Sequence, residues 1–209
     1  MKISQDIDLI LESNKHKLIG TRKFDTIGRT FKKMFKPFGV ERVRVIGVFD
    51  PNIFSFGGEY DRQEDKITIE FLVSRDAFDS FHLSENRWKE FKFLVSQNLQ
   101  HEMIHRVQAF NRTETFWRKF YKIEAKGPFH KLEERVYLSD VDEVEAYAHD
   151  LAMEIEFYYS KYKINDVLRN PSRFRKLTTY KVYKNAFKNT DWTNIRKMLL
   201  KKTYKNLKY

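Results

Sequence analysis

The run from Glu85 to Phe110 contains neither proline nor glycine and repeats apolar residues at helical spacing, which predicts one long helix. Trp88, Val95, Leu99, Met103 and Phe110 mark a stripe expected to face the core. Inside this run stands His101-Glu102-Met103-Ile104-His105. Two histidines four residues apart lie one turn from each other on the same helix face, so both imidazoles can reach one ion. They share a stripe with Leu94, beside the core stripe. Glu102 is offset from His101 by about 100° around the helix, so it can address a water rather than join the coordination sphere. Neutral imidazole ligands, an open position for water and a carboxylate to take its proton are the parts of a zinc hydrolase.

The chain has no cysteine, so a metal must be held by histidine and carboxylate, and no disulfide framework exists. Its 209 residues, 41% hydrophobic and 16% aromatic, suffice for a real core. The net charge of +11 is uneven. Residues 160–209 hold 15 Lys/Arg against 2 Asp/Glu, whereas the rest holds 25 against 27. That composition shift predicts a domain over 1–159 and a basic, aromatic-rich helical extension over 160–209. The first residues, Met1-Lys2-Ile3-Ser4-Gln5-Asp6, lack a secretory apolar region, and no apolar run approaches membrane-spanning length. A cytoplasmic protein without a membrane partner is expected.

Two helices are expected within 3–36, the first on Ile3, Ile7, Ile10 and Leu11, the second on Phe24, Ile27, Phe31 and Met34. Gly20 separates them and Lys36-Pro37 ends the second. A strand on Val43, Val45, Ile46, Val48 and Phe49 should end at Asp50-Pro51. Gly57-Gly58 and the polar residues 61–65 read as turns, and Lys66–Val73 alternates with Ile67, Ile69, Phe71 and Val73 on one face. These predict a small antiparallel sheet, one edge of which can receive an extended peptide. Ser84 is the expected N-cap of the long helix. Residues 111–137 are aromatic and basic around Gly127-Pro128, and a second strong helix, acidic in its first turn, opens at 138–152.

A third ligand is sought on that second helix, where small residues permit close approach. Glu145 lies nearer the stripe of Val141, Val144, Ala148, Ala152 and Ile155, whereas Glu143-x-x-Ala146 favours the other glutamate. With His101 to Gln108 followed by Tyr137 through Ala152, the middle third of the chain resembles the single-domain Glu-zincin metallopeptidases. It is most similar to the short peptidases encoded by tailed bacteriophages. The resemblance implies a helix-rich α+β fold with a zincin-like core, bound zinc, and a Glu-x-x-Ala helix supplying the third ligand. It places that ligand at Glu143, with Glu145 the alternative; Tyr147 stands four residues later, where the family has Asp or Asn. It also implies a peptide or protein substrate, and the host cytoplasm or a virion as location.

Glu102 is then the expected catalytic base, and Tyr137, Tyr147, His149 and Arg106 are candidates to stabilise an oxyanion. In the basic segment, Pro171 can start a helix bearing Phe174, Leu177, Tyr180, Tyr183 and Phe187. Thr190 or Asp191 can cap another bearing Trp192, Ile195 and Leu199. This segment offers a surface to nucleic acid or an acidic partner through phosphate-type contacts. Two rival functions follow: a non-catalytic virion or assembly component of the same fold, and a nucleic-acid-associated protein in which the histidine pair is incidental.

Overall fold

The computed structural model describes residues 2–48, 54–74, 80–111, 129–160, 164–170, 173–187 and 191–207. The chain is helix-rich α+β and forms two compact units, 1–110 and 111–209. Among the described residues, no helix is long and apolar enough to cross a membrane.

The first unit begins with α1 (Lys2–Leu18), whose Ile7, Leu11 and Leu18 are fully buried. Basic Lys15, His16 and Lys17 occupy its last turn, where they complement the helix dipole. Strand β1 (Gly20–Lys23) leads into α2 (Phe24–Phe35), which buries Phe24, Ile27, Phe31, Met34 and Phe35 along one face. Pro37 sits in the short 3-10 turn that follows, and Gly39, at φ 89°, closes it by donating to Lys36 O. A side chain at Gly39 would be strained by that φ and would approach Arg106 Nη1 to 3.0 Å.

Strands β2 (Val40–Val48), β3 (Phe54–Asp61) and β4 (Lys66–Ser74) form a sheet in the order β2-β4-β3. The sheet is mixed rather than antiparallel. β4 pairs parallel to β2, from Val40↔Ile67 to Val48↔Ser74, and antiparallel to β3, from Phe54↔Val73 to Asp61↔Lys66. Residue alternation along a strand reports its buried face and not the direction of its neighbour, so the antiparallel expectation had no signal for the parallel β2–β4 pairing. The β3–β4 turn is made by Asp61, whose carboxylate accepts from the backbone N–H of Gln63 and Glu64, and by Asp65 at φ 49°. Gly57-Gly58 is not a turn but the middle of β3, facing Glu70 and Ile69 of β4. Strand β5 (Ser80–Leu83) pairs antiparallel with β1 and was not foreseen; the expected strand end at Asp50-Pro51 lies outside the described residues.

Helix α3 (Trp88–Phe110) follows a 3-10 turn over Glu85–Arg87. Ser84 caps that turn in position only, without a side-chain hydrogen bond. Trp88, Val95 and Leu99 are buried as the stripe predicts, but Phe110 is 92% exposed. Phenylalanines from α2, the sheet and α3 meet under α3. Phe31 of α2 lies 5.1 Å from Phe71 of β4 and 6.0 Å from Phe91 of α3, and Phe56 of β3 lies 4.8 Å from Phe71 and 5.6 Å from Phe91.

The second unit is built around α5 (Val141–Tyr159), preceded by α4 (Phe129–Leu138) and followed by α6 (Ile164–Arg169), α7 (Thr178–Phe187) and α8 (Trp192–Asn206). Asp140 is the N-cap of α5 and accepts from Asp142 N–H at 3.0 Å. Val144, Ala148, Leu151, Ala152 and Ile155 share one core with Val167, Leu177, Tyr183, Phe187, Ile195 and Leu199. The charge boundary at 159/160 is therefore not a packing boundary. Glu154, 3% exposed, accepts from Thr179 N–H and Oγ1, each at 3.0 Å, and so ties the start of α7 to α5. Pro171, the expected helix start, lies outside the described residues, and α7 begins at Thr178.

Phe31→Ala removes the ring that touches both the sheet and α3 and should cost about 3–5 kcal/mol. Phe110→Ala, at an exposed ring, should stay within about 0.5 kcal/mol. Urea unfolding of both variants checks this; equal losses would show that Phe31 is not the keystone of the core.

Candidate metal centre

α3 places its polar residues inward at one level. His101 is 7% and Glu102 4% exposed, with Ser96 and Gln100 also buried on the turn before. His105 Nε2 lies 3.1 Å from His101 Nε2, and the ring planes are inclined at 74°. That separation is close to the roughly 3.3 Å edge of a tetrahedron with metal–nitrogen bonds of about 2.0 Å. The other nitrogen of His105, Nδ1, is 3.0 Å from Gln108 Oε1. An amide oxygen only accepts, so with this assignment the His105 proton sits on Nδ1 and its Nε2 lone pair faces His101. Gln108 thus sets both the tautomer and the tilt of the ring.

On α5, Glu143 is half-buried in the first helical turn. The Tyr137 hydroxyl hydrogen-bonds to Glu143 and Tyr147. Burial, followed by the charges of Tyr147 and Glu143, pushes this phenol far above its usual range, so it remains a donor. His101, His105 and Glu143 each offer one ligand atom, and these atoms all lie within 4.8 Å of one another, a group able to hold a metal ion. Two imidazoles and a carboxylate, without a thiolate, form a nitrogen–oxygen donor set of the kind that holds a divalent transition metal.

The other expected residues divide. Glu145 is exposed and pairs with Lys202 of α8 at 3.1 Å, so the position that the helical wheel favoured faces away from the α5 core. Arg106 is held by Asp65, through Nε to Oδ1 at 2.7 Å and Nη2 to Oδ2 at 2.6 Å. The guanidinium hydrogen bonds hold the Asp65 carboxyl below its usual range. Committed to this fork, Arg106 serves the β3–β4 turn rather than an oxyanion. Tyr147 and His149 are half-buried on α5. Gln108 and Gly58 were missed by the sequence reading. Glu102 Cγ and Oε1 would each lie 2.7 Å from a Cβ placed at Gly58, so this carboxylate rests on bare strand backbone.

Comparison of the chain with protein-family models, with curated proteins and with solved structures finds no match.

His101→Ala or His105→Ala should abolish measurable zinc uptake, and Glu143→Ala should weaken it by about ten- to a hundredfold. Glu145→Ala should leave it within about twofold, because loss of an exposed ion pair is a small perturbation. Isothermal titration of the metal-stripped protein decides the matter, and a stronger effect at Glu145 than at Glu143 would reverse the assignment.

Proposed function

We propose that the protein is a zinc-dependent peptidase with a zincin-like core, acting on a peptide or protein substrate. The observation that carries this reading is the His101, His105 and Glu143 group, with a buried carboxylate next in sequence to its first histidine. A zinc ion, when bound, supplies Lewis acidity, acidifying water in its shell and polarising a carbonyl oxygen. Glu102 accepts the proton of the attacking water and returns it to the leaving amine, and its burial favours that exchange by limiting competition from bulk solvent. Gln108 holds the His105 ring, and Tyr137 holds the Glu143 carboxylate, so the protein's own hydrogen bonds orient two of the three ligands.

A second role is supported by the outer face of α8. Lys197, Lys201 and Lys205 are exposed at four-residue spacing, giving a row of ammonium groups about 6 Å apart along the helix. Such a row attracts an anionic chain by charge alone, as in backbone contacts to nucleic acid.

Glu102→Gln should fold, bind zinc as wild type does, and lose turnover by about 10²–10⁴-fold on any peptide the wild type cleaves. A screen of a peptide library with both proteins zinc-loaded reads this out. Equal turnover would remove Glu102 as the base, and no turnover by the loaded wild type would leave the fold as a non-catalytic scaffold. Replacing Lys197, Lys201 and Lys205 by glutamine should weaken binding to a DNA duplex and flatten its log–log salt dependence by about two to three units of slope. Unchanged binding would remove the second role.

A further inference from the structure

The middle of β3 meets α3 through a missing side chain. Phe56 and Tyr60 both pack against the core, so Gly58, two residues from each, belongs to the same face of the strand. Phe56 there touches Phe91 of α3. At Gly58 an added Cβ would lie 2.7 Å from Glu102 Cγ, 2.7 Å from Glu102 Oε1 and 2.9 Å from the Asn98 amide. Carbon atoms need about 3.5 Å, so even one methyl group would drive the carboxylate away. Asn98 stands one helical turn before Glu102, on the same face. With its amide turned so that the nitrogen faces Gly57 O, the orientation that satisfies both ends, it donates there at 2.9 Å and accepts from Gly58 N–H at 3.2 Å.

We infer that Gly58 and Asn98 are positioning residues for Glu102: the bare Gly57–Gly58 backbone, fastened to α3 by Asn98, is the seat that fixes the Glu102 carboxylate. The histidines need no such seat, since His101 and His105 are matched by their four-residue spacing on one helix. Placement of the base and placement of the ligands are therefore separable. Disturbing the strand displaces the carboxylate while the metal-binding nitrogens stay matched. The link to turnover rests on the peptidase reading; the seating itself does not.

The test is a double-variant cycle of Gly58→Ala and Glu102→Ala, read by thermal unfolding, zinc titration and steady-state kinetics. Gly58→Ala alone should lower the unfolding midpoint by roughly 5–10 °C. In the Glu102→Ala background the same change should cost less than about half as much, because the crowded carboxylate is gone. Zinc affinity of Gly58→Ala should stay within about threefold, while kcat falls about a hundredfold or more at little-changed KM. Asn98→Ala should lower kcat about tenfold with zinc binding retained. Equal midpoint losses in both backgrounds, or zinc affinity falling as far as kcat, would overturn the inference. If Gly58→Ala fails to fold but the double variant folds, the coupling is established; if neither folds, the glycine serves the strand alone and the inference falls. A wild type that cleaves no peptide would remove the peptidase reading, and the stability cycle would still decide the seat.

Discussion

The contact of Phe91 with Phe56 and Phe31 is the constraint on which the first unit depends. Aromatic rings in a dense core cannot slide past one another without opening a cavity, so this contact fixes where α3 lies along the sheet. From that point the rest of the helix is determined. Asn98 and Glu102 arrive over Gly58, and Arg106 arrives at the β3–β4 turn, where it forks onto Asp65. A helix held at three levels cannot rotate, and rotation is what would undo the site. His101 and Glu102 differ by about 100° around the axis, so turning α3 by one residue would exchange the direction of the His101 side chain for that of Glu102.

That arrangement is costly in stability. Burying a carboxylate and an imidazole side by side removes both from water, and a good hydrogen-bond partner returns only part of the loss. A helix selected for packing alone would place leucine or alanine at positions 101 and 102. Concentrated burial of ionisable groups within one turn of α3, surrounded by Ser96 and Gln100, is the sort of local conflict that proteins retain at working sites. The same conflict explains why α3 lacks a single apolar stripe over its length: its second half buries polar as well as apolar residues.

Local patterns made much of this legible. The absence of proline and glycine over 85–110, the alternation of Ile67, Ile69, Phe71 and Val73, and the acids opening α5 each specify an element by its own periodicity. What was hidden depended on partners. Gly57-Gly58 reads as a turn because glycine frees the backbone, yet here its value is space for Glu102. The signal was present in the flanking residues, since Phe56, Gly58 and Tyr60 keep strand alternation through the glycines. Phe110 continued the helical stripe on paper but stands beyond the last buried turn, so periodicity overran the core. The glutamates of α5 show the same limit. A wheel ranks Glu145 by angle alone, whereas its ion pair with Lys202 requires knowing that α8 lies alongside.

Charge and packing divide the chain at different places, and the reason lies in what each records. Net charge is a property of the surface, and the lysines of α7 and α8 occupy the faces turned away from Tyr183, Phe187, Ile195 and Leu199. The interior of those helices is continuous with α5, through Val144, Ala148, Leu151 and Ile155. Alanines at 148 and 152 leave that side of α5 without bulk, which lets neighbouring helices approach closely, and Glu154 adds a buried hydrogen-bonded tie to α7. Glu143 is carried in the first turn of this same helix. The basic segment is therefore part of the support of the helix that carries Glu143 as well as a charged exterior. Because α5 would expose its whole apolar face without α7 and α8, the placement of Glu143 on α5 depends on residues far beyond it in sequence.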